Sequence, residues 1–249
     1  MTLKEIVKTL MPKGVLRIVQ KHKLRESQEK FKGLTTQQVF IKIYEESAWG
    51  KSNDPSQPFF SGTGSHDKSA VSVYIKAIQS FLGSFDRKPN AVDLGCGDFF
   101  VGSRIRTFFE NYTACDIVPN LIAFNKKRYA GLNVEFRVLD LVEDELPEGD
   151  VVFIRQVLQH LSNDHIKKAL PKLSASYKYL VLTEHLPLRK SFEPNLDKPA
   201  GPKTRVSTES GLVLTKPPFN LRALDERVLC EVLEDGGVIR TTLYVLAGS

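Results

Sequence analysis

The ten residues AVDLGCGDFF, 91–100, constrain this chain more than any other stretch. An apolar run closed by Asp93 reads as a buried strand. Gly95 and Gly97 then form a tight turn, because glycine bends sharply and lets a ligand approach the backbone. Asp98 is expected to cap a helix that follows. Strand, glycine turn and helix together make a binding device whose best-known form reads G-x-G-x-x-G and holds dinucleotides. Phe100 occupies the third glycine position here, which weakens that reading. No Gly-Lys-Ser/Thr closes the turn, so a P-loop is excluded. An ordinary tight strand-to-helix connection remains the plain alternative.

The downstream pattern decides what kind of sheet contains this turn. Residues 111–117 (NYTACDI) read as a second strand ending in Asp116, 19 positions after Gly97. A carboxylate at the tip of a neighbouring strand can accept both hydroxyls of a ribose. Residues 134–141 (VEFRVLDL) read as a third strand carrying Asp140, 150–161 as a fourth running into a helix, and 179–185 as a fifth. Strands alternating with helices at this spacing predict βαβ units and a parallel sheet. RVLCEVLE and VIRTTLYVL, joined by Asp235-Gly236-Gly237, predict a closing β-hairpin.

In this order the segments resemble motif I and the following motifs of class I S-adenosylmethionine (SAM)-dependent methyltransferases. The resemblance is strong over about residues 90–185. It implies an α/β fold: a seven-stranded, mostly parallel Rossmann-like sheet with an antiparallel last strand, flanked by helices, plus an N-terminal helical extension. It implies SAM as cofactor, with Asp93 anchoring the ammonium and Asp116 and Ile117 at the ribose. Asp140 and Leu141 would meet the adenine, and Gly95, Gly97, Asp98 and Gln156 would contact the ligand elsewhere. Many family members carry a third glycine where this chain has Phe99, so the pocket near the methionine tail is expected to differ.

The division expected is a basic amphipathic arm (1–33), N-terminal helices with a lid loop (34–89), and a cofactor-binding core (90–249) with an acceptor-binding insert (186–218). Helices are expected at 35–48, at 69–83 and, after the turn Lys216-Pro217-Pro218-Phe219, at 220–225. The Pro-Pro-Phe step mimics a motif of base-methylating enzymes, but lies after the fifth strand instead of the fourth. The Gly-, Pro- and Ser-rich segment 48–66 is a loop by turn chemistry. It holds Trp49, the single tryptophan, and the run Ser61-Gly62-Thr63-Gly64-Ser65. It resembles the lid of many small-molecule methyltransferases, which places Trp49, Ser61 and Gly62 against the cofactor; a passive surface loop is the alternative. The insert is expected above the carboxyl ends of the strands, where ligands bind in open α/β sheets.

Methyl transfer to a hydroxyl requires alignment and removal of a proton. His160 and His185, after the fourth and fifth strands, are the candidate bases, and Glu184 could orient either one or hold a sugar hydroxyl. His160 could equally serve helix packing, and His66 reads as structural. No paired acids suit a metal ion, so no metal site is expected.

Charge adds one constraint. The chain has 249 residues and a net charge of +6, and residues 1–32 hold nine Lys/Arg against three acids, so the remainder is neutral. A neutral body lacks the basic stripe of a nucleic-acid enzyme. The arm's alternation of apolar and basic residues suits a helix on a membrane surface, on the main domain, on a second subunit, or on nucleic acid. Three scattered cysteines fit a reducing cytoplasm, and no apolar run is long enough to span a membrane. The expectation is a cytoplasmic enzyme, peripheral at the inner membrane face, that methylates a hydroxyl of a small molecule such as a sugar or glycan intermediate. Segments around Trp49 and Pro217 weakly resemble methyltransferases associated with bacterial surface-polysaccharide biosynthesis. Methylation of another metabolite or a protein side chain, or a nucleic-acid or membrane-surface binding module with a vestigial cofactor fold, are the competing readings.

Overall fold

The computed structural model describes residues 29–189, 191–234 and 236–247. Most of the basic arm lies outside the described residues.

Helix α1 (Thr36–Glu45) opens with a capping box in which the Thr35 hydroxyl accepts from the Gln38 amide and the Gln38 side chain returns to the Thr35 amide. The lid loop follows, interrupted by one helical turn, α2 (Thr63–His66). Helix α3 (Lys68–Leu82) is capped by Asp67, whose carboxylate accepts from the Ala70 amide at 2.7 Å. Then come β1 (Ala91–Leu94), the short α4 (Gly102–Ile105), β2 (Tyr112–Asp116), α5 (Pro119–Arg128), β3 (Glu135–Val138) and β4 (Val151–Arg155). Helix α6 (Asn163–Ser176), β5 (Tyr179–Pro187), β6 (Ala223–Glu234) and β7 (Gly237–Leu246) complete the order.

The seven strands form one sheet in the order β3-β2-β1-β4-β5-β7-β6. Neighbours from β3 to β5 are parallel, and β7 runs antiparallel to both β5 and β6. This is the expected mostly parallel sheet closed by an antiparallel strand.

Strand residues alternate between two buried faces. Val92, Leu94, Val152, Ile154, Leu180 and Leu182 meet α1 and α6 on one side. Ala91, Val151, Phe153, Val181 and Leu243 meet α3 and α4 on the other. Both faces of the parallel strands are covered, which is why the sequence reads as continuous apolar runs there.

Two local expectations are corrected. Asp98 does not cap a helix: α4 begins only at Gly102, with Val101 at its N-cap. Nor is there a helix at 220–225. That segment enters β6, which pairs along its length with β7, so the ladder's hydrogen bonds override a weak local helical tendency.

Candidate functional site

The carboxyl ends of β1, β2, β4 and β5, roofed by the lid and part of the insert, enclose a cavity of about 340 Å³. That lies within the ordinary range for small-molecule sites.

The glycine turn forms its floor. Gly95 (φ +78°) and Gly97 (φ +55°) occupy left-handed backbone, which glycine enters without a Cβ penalty. Space enforces the choice as well: a Cβ on Gly95 would stand 2.4 Å from Val157 Cγ2, and one on Gly97 2.4 Å from Ser61 Oγ. The amides of Gly95 and Cys96 both donate to the Cys115 carbonyl, at 2.8 and 2.9 Å. Asn125 Nδ2 donates to the Gly97 carbonyl at 2.8 Å. The turn is therefore fixed by β2, the β4 exit, α5 and the lid together.

Three carboxylates line the cavity in strand order. Asp93 accepts from the Tyr112 hydroxyl at 3.0 Å, and burial pushes its pKa up to about 7. Asp116 accepts from the Gly97 and Val118 amides, each at 3.0 Å, and burial pushes it up to about 6. A carboxylate has about four lone-pair sites, so these two bonds leave Asp116 able to accept from a vicinal diol. Asp140 accepts from the Val142 amide at 2.8 Å, with Leu139 and Leu141 beside it. Ile117 and Gln156 complete this side, and Gln156 holds a left-handed φ of +57° just after β4.

The lid reaches the cavity through Trp49, Ser61 and Gly62. Ser61 is held by Asp98: its amide donates to Asp98 Oδ2 at 3.0 Å, and its hydroxyl accepts from the Asp98 amide at 2.8 Å. His66 Nε2 lies 2.7 Å from the same Asp98 oxygen, and its ring lies between Phe60 and Phe100, 4.6 and 4.3 Å from them. The residue expected to cap a helix thus fastens the lid to the turn. Trp49 Nε1 donates to the Pro202 carbonyl at 3.1 Å, joining lid to insert. Of the insert, Pro202 and Thr204 line the cavity, while Leu212 and Leu214 are buried in the core.

The two histidines are placed differently. His160 Nδ1 faces the Gly201 carbonyl at 3.1 Å; a carbonyl only accepts, so Nδ1 carries the proton. Nε2 lies 3.4 Å from the Gln159 amide nitrogen, which donates to it. Burial, reinforced by Lys198, pushes the His160 pKa down to about 3. The ring is a neutral strut beneath Trp49, 5.0 Å away. His185 is half-buried at the cavity wall, with Nε2 3.4 Å from the Glu234 carbonyl.

Glu184 does not line the cavity, and its expected role there is withdrawn. Strand alternation puts it on the sheet face opposite His185. It is 3% exposed, neither oxygen makes a hydrogen bond of ordinary geometry, and burial pushes its pKa up to about 8 despite the opposing pull of Arg205. Arg205 and Lys198, both buried, hold the insert around it: Arg205 Nη2 donates to the Leu161 carbonyl at 2.8 Å, and Lys198 Nζ to the Pro199 carbonyl at 2.8 Å.

Sequence reasoning missed Arg155, Glu234, Tyr44 and Tyr74, all of which line the cavity. Arg155 was discoverable, because it ends β4 two residues past Phe153, which pairs with Asp93. Among the described residues no group of three or more His, Cys, Asp or Glu side chains is placed to hold a metal ion, and no helix is long and apolar enough to cross a membrane.

Comparison with known proteins agrees with this geometry. Residues 91–178 match a methyltransferase domain family. No curated protein matches the sequence significantly. The N-methyltransferase NodS from Bradyrhizobium japonicum WM9, solved with S-adenosyl-L-homocysteine (SAH), has a similar fold: TM-score 0.59 at 12% identity, over 83% of this chain and 98% of that one. Magnesium protoporphyrin IX methyltransferase from Synechocystis PCC 6803, solved with SAM, gives 0.55 at 11% identity, over 87% and 99%. Human N-acetylserotonin methyltransferase, also with SAM, gives 0.54 at 18%, over 90% and 62%. Residues 91–178 therefore match a methyltransferase domain, and the chain as a whole has the Rossmann-like fold of class I SAM-dependent methyltransferases.

Proposed function

We propose that this protein uses SAM to methylate a hydroxyl of a small polar acceptor, such as a sugar or glycan intermediate. The residues present fit the cofactor: a glycine cradle that a Cβ would fill, Asp116 with lone pairs to spare for a ribose, and Asp93 for an ammonium. Bound SAM supplies a methyl group already activated on a sulfonium. The chain's task is to align the acceptor oxygen with that methyl and to take the hydroxyl proton.

His185 carries this reading. It lines the cavity wall, whereas the His160 ring is committed on both nitrogens. With Nε2–H directed at the Glu234 carbonyl, Nδ1 is the basic nitrogen. The cavity lining also carries the polar side chains of Ser65, Gln156, Thr204 and Glu234, the last beside His185 through its carbonyl. The named neighbours act on different acceptors, so the lining chemistry, and not fold likeness, supports the choice of a hydroxyl. Glu234 favours a second reading, an amine acceptor drawn in as its cation.

The test is transfer of labelled methyl from SAM to a panel of nucleotide sugars, oligosaccharides and amines. His185→Ala is expected to lower transfer by roughly 10²-fold or more, the usual contribution of a positioned base, with SAH affinity retained. Full transfer by that variant sinks the assignment; transfer to amines alone selects the second reading.

The basic segment 1–32 is proposed to hold the enzyme at an anionic membrane surface. Co-sedimentation with phosphatidylserine vesicles, lost on deleting residues 1–28, is the expected result. Equal binding after the deletion defeats it.

A further inference from the structure

The methionine end of SAM carries an ammonium and a carboxylate side by side. Asp93 suits the first. For the second, the lining charges are informative. Among the described residues that line the cavity, Arg155 is the one side chain of fixed positive charge, against five carboxylates.

Its position is set by the sheet. Phe153 pairs with Asp93 across β4 and β1, and Arg155, two residues on, projects from the same face. The guanidinium lies over the Tyr74 ring at 5.5 Å. Nη1 donates to Ser65 Oγ at 2.9 Å and to Gln156 Oε1 at 3.1 Å, and Nη2 to the Gly64 carbonyl at 2.7 Å. These three bonds leave two of the five guanidinium N–H donors. Of these, Nε–H is buried with no acceptor. A buried guanidinium N–H with no acceptor is costly. A carboxylate in the cavity would give this half-buried cation a charged partner and offset that cost.

We infer that Arg155 anchors the α-carboxylate of the cofactor's methionine end, beside the ammonium at Asp93, and through Gly64 and Ser65 ties that anchoring to the lid turn α2. The inference rests on the cofactor reading above. It assigns to a strand-end side chain a task that the lid's backbone amides alone would otherwise perform.

The experiment is calorimetric titration of the full chain with two probes, SAH and 5′-methylthioadenosine. The second keeps the nucleoside and thioether and lacks the amino-acid group. Arg155→Ala is expected to weaken SAH by about tenfold or more, the usual weight of a charge-assisted pair, and to leave methylthioadenosine unchanged. Arg155→Lys should fall between, since it keeps the charge and loses the fork. Equal weakening of both probes overturns the inference, because Arg155 then only holds the lid, and so does no weakening of either. If Arg155→Ala does not fold, Arg155→Lys decides by the same criterion: selective loss for SAH supports the anchor and equal or no loss overturns it. Failure of the wild-type chain to bind either probe instead overturns the cofactor reading, and this inference with it.

Discussion

Phe99 stands where related turns favour glycine, and it adopts glycine's backbone, with φ +59°. A bulky residue there is strained by roughly 1–3 kcal/mol. The ring explains the tolerance. It is fully buried and meets Tyr112, Tyr129 and Phe136 edge-on at 5.6, 5.2 and 5.0 Å. Losing such a ring costs about 3–5 kcal/mol, so packing outweighs strain. Phe99→Gly should therefore destabilise the protein by about 2 kcal/mol despite relieving the backbone, as read by urea denaturation; a stabilised variant refutes that balance. The presence of Phe99 was visible in the sequence, but its compensation was not, because the three partners come from elements far apart in the chain. Asp93 gives a pH signature. A carboxyl held at about 7 keeps, in the folded state, a proton that the unfolded chain has already released. Its contribution to stability is present at acid pH and lost as pH rises through about 7. An ammonium ligand needs the ionised form, so SAH affinity should rise between pH 6 and pH 8. Asp93→Asn should bind weakly and flatten that rise; a rise of unchanged steepness in the variant assigns the titration elsewhere.

At the scale of elements, the sheet was readable because each strand is an apolar run with a carboxylate or a turn signal at its end. Twelve residues assigned to cofactor contact from sequence do line the cavity, from Trp49 to Gln156. Period-two alternation along β5 separates His185 from Glu184, and that alternation is legible in the sequence alone. The ties between elements could not be read. Asp98 to Ser61 and His66, Trp49 to Pro202, and Arg155 to Gly64 and Ser65 each join segments more than 30 positions apart. These ties make the turn intolerant. Gly95→Ala combines a strained φ with a Cβ 2.4 Å from a valine that follows β4. It should displace the turn from β2 and abolish SAH binding while the far-ultraviolet circular dichroism stays native. Binding at wild-type strength shows that the turn can yield.

The whole molecule depends on an insert that is mostly structural. Asn195, Lys198, Arg205 and Ser210 are all buried, and among the described residues of this segment only Pro202 and Thr204 border the cavity. A long polar loop read from sequence as acceptor recognition thus folds as a strap that is hydrogen-bonded largely to itself and tied to the core through Arg205 at the Leu161 carbonyl and the Gly201 amide at the His160 carbonyl. Arg205 is its centre. It is fully buried, and it donates to the Leu161 carbonyl and to that of Leu196. Glu184 beneath it sits near its own titration point at neutral pH, with a pKa of about 8. Removal of the guanidinium therefore does not strand a full negative charge, because the carboxyl can stay protonated. What is lost is packing and two charged hydrogen bonds to buried carbonyls, each worth about 1.5–3 kcal/mol. Arg205→Met keeps much of the volume and should cost about 3 kcal/mol in urea unfolding, at the lower end of the roughly 3–5 kcal/mol range of a broken buried ion pair. Its signature lies in pH. Arg205 lowers the Glu184 pKa, so the variant's carboxyl should hold its proton to higher pH, and stability should fall more steeply than in the wild type as pH rises through 8. Amide exchange should quicken across residues 193–210 and around Pro202, loosening the Trp49 tie and with it the roof of the cavity. A variant with native exchange in that segment would show that the strap is held by its apolar residues, Leu212 and Leu214, without the charges.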